Sequence, residues 1–271
     1  MIRTFLLAAA GLMLLTQIAF GQNSGDLSAD EIYRKSQLAY FYPGDDMKAR
    51  LSMNLVGKGG GIQVRELTML RIDGAEGGDQ KYFIYFHEPG DVRRMTFMVW
   101  KYSKTEDDRW IFVPAVDLIR RLAADDKYSS FVGSDFSYED VSGRDVSEDT
   151  HKLIGTEEYD KKVCYVLENT PIGSAPYAKR KSWIDTEDFI PVREEYYDVQ
   201  GDLYKVFTVA NIQNISVDGK SYPTPMTRTM DNVKTGHSTV VTFESVEYNA
   251  GLADIDFSER YMRQPPRDWI E

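Results

Sequence analysis

The sequence predicts a mainly β protein with a few helices: about eleven antiparallel strands in one strongly curled sheet or barrel. Three observations carry this. From Leu51 to Tyr248 the chain runs in short apolar or alternating segments, the period of a pleated strand. Their connections are short and rich in Gly, Asp, Asn and Pro, as in Gly57–Gly61, Val199-Gln200-Gly201-Asp202 and Asp218-Gly219, and tight turns join antiparallel neighbours. Finally, Tyr82-Phe83-Ile84-Tyr85-Phe86, Phe97-Met98-Val99-Trp100 and Val206-Phe207-Thr208-Val209 are apolar on both faces. An antiparallel sheet with one wet face alternates instead, so something covers both faces: helices, a second sheet or a bound apolar molecule.

In chain order, the first segment is a targeting sequence. Arg3 precedes the apolar stretch Phe5–Leu15, and Ala19-Phe20-Gly21 is a small-x-small cleavage site, which places a signal peptide at 1–21 and one domain at 22–271. Cys164 is the one cysteine and lies far from that site, so lipidation and an internal disulfide are both excluded from the expectation. Ser28 and Glu31 form a capping box that opens a helix through Tyr42, closed by Pro43-Gly44. Leu51, Met53 and Leu55 then alternate with polar residues, and the glycine run 57–61 turns the chain into Ile62–Ile72. That run lacks the Gly-Lys-Ser/Thr ending of a phosphate loop and reads as a hairpin. Lys81–Glu88, Met95–Tyr102 and Trp110–Val113 follow as strands. After Pro114, the three-apart spacing of Val116, Ile119 and Leu122 predicts a helix with Arg120 and Arg121 on its wet side. Past the loop at 131–140, strands are predicted at His151–Glu157, Lys162–Asn169, Arg180–Asp185, Phe189–Asp198, Leu203–Ile212, Pro225–Asp231 and His237–Tyr248. A short helix is predicted within Asp256–Arg263.

The 32 Lys and Arg against 43 Asp and Glu give a net charge of −11, which disfavours nucleic acid and anionic surfaces. His87, His151 and His237 are scattered without metal spacing, and Ser134 lacks a glycine-flanked elbow. Asp135, Glu139 and Asp140 are clustered, but without the alternating ligands of a calcium loop. No catalytic constellation, metal site or cofactor is expected. Ser134, Asp135 and Ser137 read as caps that hold a loop together.

The block Trp110-x-Phe112-x-Pro114-Ala115, a basic turn, and then Ser130-Phe131-x-Gly133-Ser134-Asp135-Phe136-Ser137-Tyr138-Glu139-Asp140 resembles the bacterial outer-membrane lipoprotein-sorting family, relatives of the periplasmic carriers LolA and LolB. Glu88-Pro89-Gly90-Asp91-Val92-Arg93 fits the same pattern. The likeness runs from Ala49 to Glu271, with Arg94 standing where the family has Gly and Val132 where it has Met. Sequence alone leaves a filled β-sandwich and a half-open barrel equally open. The resemblance implies the second, LolA-like and capped by helices, with an apolar cavity for acyl chains. Following one parity per strand, the cavity residues are Leu51, Met53, Leu55, Ile84, Phe86, Phe97, Val99, Trp110 and Phe112. The lid or partner loop would present Phe131, Asp135, Phe136 and Tyr138.

The resemblance thus implies a periplasmic lipid or lipoprotein carrier, not an enzyme, which passes acyl chains towards the outer membrane. Its partners would be the acyl chains and an inner-membrane transporter or outer-membrane acceptor. The alternative is a periplasmic adaptor of an inner-membrane lipid transporter, with no cargo cavity. A hydrolase that uses the acidic cluster is a third, weaker expectation.

Overall fold

A computed structural model describes residues 27–270; the predicted signal peptide and its cleavage site lie outside them. The helix α1 (Ala29–Phe41) comes first, followed by six strands: β1 (Asp46–Val56), β2 (Ile62–Asp73), β3 (Gln80–Glu88), β4 (Thr96–Lys101), β5 (Asp108–Val113) and β6 (Leu118–Arg121). An inserted segment carries the short helix α2 (Tyr138–Ser142). Seven more strands follow: β7 (Asp149–Tyr159), β8 (Lys162–Pro171), β9 (Lys179–Asp185), β10 (Pro191–Tyr197), β11 (Leu203–Val217), β12 (Lys220–Asn232) and β13 (His237–Tyr248). The chain ends in α3 (Glu259–Arg263) and α4 (Arg267–Ile270).

All thirteen strands form one antiparallel sheet in the order β6-β5-β4-β3-β2-β1-β13-β12-β11-β10-β9-β8-β7. Neither β6 nor β7 pairs on its outer side, so the sheet is open rather than closed, as a half-open barrel requires. Thirteen strands exceed the expected eleven or so, and one of the added strands is β6. It replaces the helix predicted from Val116, Ile119 and Leu122. A single turn at Pro114–Val116 ends at Asp117, whose φ of 47° is left-handed, and the chain folds back so that Ile119 faces Phe112. Three apolar residues in one short stretch fit either period, and the unpaired edge of β5 decides in favour of the strand.

The capping box of α1 is as predicted, with the Ser28 amide donating to Glu31 Oε2 at 2.8 Å and the Glu31 amide donating to Ser28 Oγ at 3.2 Å. The helix lays Ile32 and Tyr33 on Leu167 and Ile184 and so covers the inner face of the second half of the sheet. Gly57–Gly61 is the predicted hairpin turn. Arg94, standing where the family pattern has Gly, adopts a φ of 67°, and its amide donates to Phe86 O at 2.8 Å. The backbone there demands the left-handed region that glycine enters most easily.

The outer face of β2–β5 is covered by the C-terminal segment. Leu70, Phe83, Met98 and Phe112 bury against Phe257 and Met262, with Trp100 and Trp110 beside them. The Trp100 indole donates to Phe257 O at 2.9 Å and the Thr96 hydroxyl to Met262 O at 3.0 Å. Near this covering, the His87 ring lies 2.6 Å from Arg50 Nη1 and 2.9 Å from Thr68 Oγ1. Burial and then the Arg50 charge push its pKa down to about 4. Above a pH of about 6.5 the ring is neutral whether the chain is folded or not. Between about 6.5 and 4 the unfolded chain takes up a proton that the folded one refuses, so stability falls through that window and levels off below it. Urea midpoints at pH 7 and pH 4.5 should therefore drop less for His87→Gln than for the parent; an equal drop would exclude this role.

Candidate functional site

The inner face of β1–β5 is an apolar wall. One row across it runs Ile111–Phe97–Ile84–Met69–Ala49, and Phe86–Leu67–Leu51 lies on the same side. Seven of the nine expected cavity residues stand on this wall: Leu51, Met53, Leu55, Ile84, Phe86, Phe97 and Val99. Trp110 and Phe112 do not. They belong to the outer cluster, and the inward residue of β5 is Ile111. Trp-Ile-Phe-Val is bulky at every position, so parity in β5 had no sequence signal, and a one-residue slip inverts the face.

The wall is fully covered. The seven expected residues on it are at most 5 % exposed. What covers it is the segment between β6 and β7. Phe131 lies 5.3 Å from Phe97 and 5.9 Å from Phe86, ring centre to ring centre, and Tyr138 lies 5.0 Å from Phe97. Phe136 packs at the edge of the same cluster and also meets Phe207 on β11, 6.3 Å between ring centres. There a narrow pocket of about 50 Å³ remains between α1, the segment and β9–β12, lined both by Tyr40, Phe136 and Phe207 and by the charged Glu139, Arg180 and Glu194.

The segment keeps its shape by local bonds. Ser137 caps α2 in a box with Asp140, with the Ser137 amide donating to Asp140 Oδ2 at 2.7 Å and the Asp140 amide donating to Ser137 Oγ at 3.2 Å. The Phe131 amide donates to Phe136 O at 2.7 Å, and the Ser130 hydroxyl donates to Ser134 O at 2.6 Å. Val132, at φ 48°, and Gly133, at φ 79°, make the reversal at its tip.

It is fastened to the sheet at both ends by polar groups. At the tip, the buried Asp135 carboxylate accepts from Thr239 Oγ1 at 2.8 Å and lies 2.5 Å from His237 Nδ1, while Lys205 Nζ donates to Asp135 O at 2.7 Å. Behind α2, Arg144 donates to Glu139 at 3.0 Å and to Asp149 at 2.8 Å. The other oxygen of Asp149 lies 3.3 Å from Arg180, which also donates to the Tyr33 hydroxyl of α1 at 2.7 Å. Burial drives the Glu139 carboxyl upward against the pull of Arg144 and Lys127. Of these groups the sequence singled out Asp135 and Glu139, in the acidic cluster, and noted His237 only as a histidine without metal spacing. Arg144, Asp149 and Arg180 sit on separate strands and loops, and Thr239 and His237 lie about a hundred positions from their partner, so no local spacing reveals them. Outside the fastening, a polar cleft of about 540 Å³ opens between the β4–β5 turn and the stems of the segment, lined by charges of both signs.

The fold is thus an open antiparallel sheet whose inner face is covered by the inserted segment over β1–β5 and by α1 over its second half. A family model described as an uncharacterized protein matches residues 78–264, and the chain belongs to that family. It is similar to an outer membrane lipoprotein-sorting protein domain from Vibrio parahaemolyticus, 26% identical with a TM-score of 0.80 over 87% of this chain and 98% of that one. A DUF1329 family protein from Desulfovibrio piger is 28% identical, with a TM-score of 0.76 over 85% and 95%. A LolA superfamily protein from Nitrosomonas europaea shares the fold at 22% identity, with a TM-score of 0.66 over 87% and 100%. No curated protein matches the chain. The relationship read from Trp110–Asp140 is therefore correct.

Asp135→Ala should cost about 1–3 kcal/mol by stranding Thr239 and His237. Hydrogen exchange should quicken at the amides of 131–138 while β3 and β4 keep their protection; unchanged exchange at the tip would show that Asp135 does not fasten it.

Proposed function

We propose that this protein is a periplasmic carrier of acyl chains, exported by a signal peptide at 1–21 and acting as one domain over 22–271. In the unladen state the 129–144 segment occupies the place of the cargo. The observation that carries this is the mismatch in how the segment is held. Its aromatic anchors lie on a wall large enough for an alkyl chain, but its fastenings are separable hydrogen bonds and ion pairs rather than continuous strand pairing.

On the apolar terms alone the exchange is favourable, before the polar fastenings are broken. Lifting Phe131 and Tyr138 off the wall costs about 1.5–3 kcal/mol for each side chain. An acyl chain recovers about 0.8 kcal/mol for each methylene buried, so ten methylenes contribute about 8 kcal/mol and outweigh both rings. Transfer then requires binding and release without any bond being made or broken. Release would come when a partner, an inner-membrane transporter on one side or an outer-membrane acceptor on the other, competes for the cargo or for the segment. The names of the Vibrio and Nitrosomonas relatives support this direction, and no helix among the described residues is long and apolar enough to cross a membrane.

The packed interior also favours a second reading, an adaptor of a lipid transporter in which the segment never leaves the wall. One experiment separates the two. If the segment competes with cargo, the double variant Phe131→Ala, Tyr138→Ala should bind a fluorescent acyl probe at least about tenfold more tightly than the parent, since about 1.4 kcal/mol off the closed state is a factor of ten. Failure of both proteins to take up the probe, together with lipid-free native mass spectra from envelope preparations, would establish the adaptor.

A further inference from the structure

We infer that the cargo carries a negative charge at its head, and that Arg65 is the residue that receives it; this rests on acyl carriage as proposed above. Arg65 lies on β2 opposite Met53 of β1, so its side chain faces the inner wall. It is 7 % exposed, and its Nη1 is buried without an acceptor among the described residues. The guanidinium lies at the tip of the covering segment, where a methyl group added to Gly133 would sit 3.6 Å from Nη2.

The other buried arginines are provided for. Arg144 and Arg180 share Asp149, Arg71 is paired with Asp73 at 3.0 Å, and Arg109 with Asp107 at 2.6 Å. The half-buried Arg228 has no carboxylate, but its guanidinium stacks between Tyr40 and Phe243, 4.3 Å from each ring centre. Arg65 alone of these has neither a carboxylate within salt-bridge distance nor a ring against it, among the described residues. Burial lowers its pKa, and Asp91 is the one acid that offsets the loss.

A buried cation without an anion is costly, and a Met or Leu would fill the same place more cheaply. Its presence is explained if an anion arrives when the segment departs. Gly133, with no side chain, stands directly against the guanidinium, so withdrawal of the tip uncovers the donors. A planar guanidinium binds a carboxylate or a phosphate through two parallel hydrogen bonds. An acyl chain held only in ester or amide linkage offers neutral carbonyls and would leave the charge uncompensated. The cargo class that fits is therefore an acidic amphiphile: an alkyl chain ending in a carboxylate or a phosphate.

The test is displacement of a neutral fluorescent acyl probe from the 22–271 protein, at concentrations below micelle formation, by palmitate, hexadecanol and a palmitoyl lysophosphatidic acid. Palmitate or the lysophosphatidic acid should displace the probe at least about tenfold more effectively than hexadecanol, and whichever acts at the lower concentration identifies the headgroup. Arg65→Met should erase the difference while leaving hexadecanol within about twofold of the parent, and Arg65→Lys should retain part of it. Arg65→Met should unfold at or above the parent's temperature, because the substitution removes an unpaired buried charge. Equal displacement by acid and alcohol, or an acid preference that survives Arg65→Met, overturns the inference while acyl carriage stands. If neither the probe nor hexadecanol binds the parent, acyl carriage fails and the inference falls with it.

Discussion

The requirement that one sheet be covered on both faces by a single chain governs this molecule. Strands such as Phe97–Trp100 place large apolar side chains on either side, so Phe97 and Val99 must be buried one way, and Met98 and Trp100 the other. The outer side is met permanently, by the C-terminal segment seated through Phe257 and Met262. Along β1–β5 the inner side is met by a segment that folds on its own local bonds and is then pinned in place. The two coverings therefore differ in how they are held: one through Phe257 and Met262 at the C-terminal end, the other through Phe131 and Tyr138 with polar fastenings at its tip and stem.

The pinning chemistry follows from that difference. Asp149 is wholly buried yet bridges two arginines, and Glu139 is held beside Arg144 in spite of the burial that resists its charge. Such a network contributes little to net stability compared with apolar packing of the same volume, but it is intolerant of partial disruption, because each lost partner strands a buried charge. It ties α2, α1 and β9 together through Arg144, Asp149, Arg180 and Tyr33. Packing of Phe131 and Tyr138 supplies the adhesion, and the charges supply the register.

Much of this was legible beforehand. The alternation in β1, the glycine turn before β2, the Ser28–Glu31 box and the block from Trp110 to Asp140 each have a local pattern with a single physical meaning, and each led to the right element or relationship. The failures have physical reasons too. Trp110 and Phe112 were assigned inward because β5 is bulky on both faces, and only the presence of Phe257 and Met262 reveals which side they serve. The helix after Pro114 lost to β6 because an exposed sheet edge outweighs three apolar residues at an ambiguous spacing. Arg65 drew no attention because an arginine in a strand usually faces water; only the register with Met53 shows that it does not.

The order of the strands has a consequence for how the chain folds. β1 lies at the middle of the sheet, beside β13, so Met47 faces Tyr248 about two hundred positions later. The two runs of neighbouring strands, β1–β6 and β7–β13, form from local hairpins as they emerge, but the seam that unites them waits for the last strand to be made. Contacts of such sequence separation slow folding, because the loop must be closed before they are gained. Until then the first run has an open edge at β1, and the covering of its outer face, from Phe257 onward, has yet to arrive. The chain is thus kept from native completion until its last strand has been made.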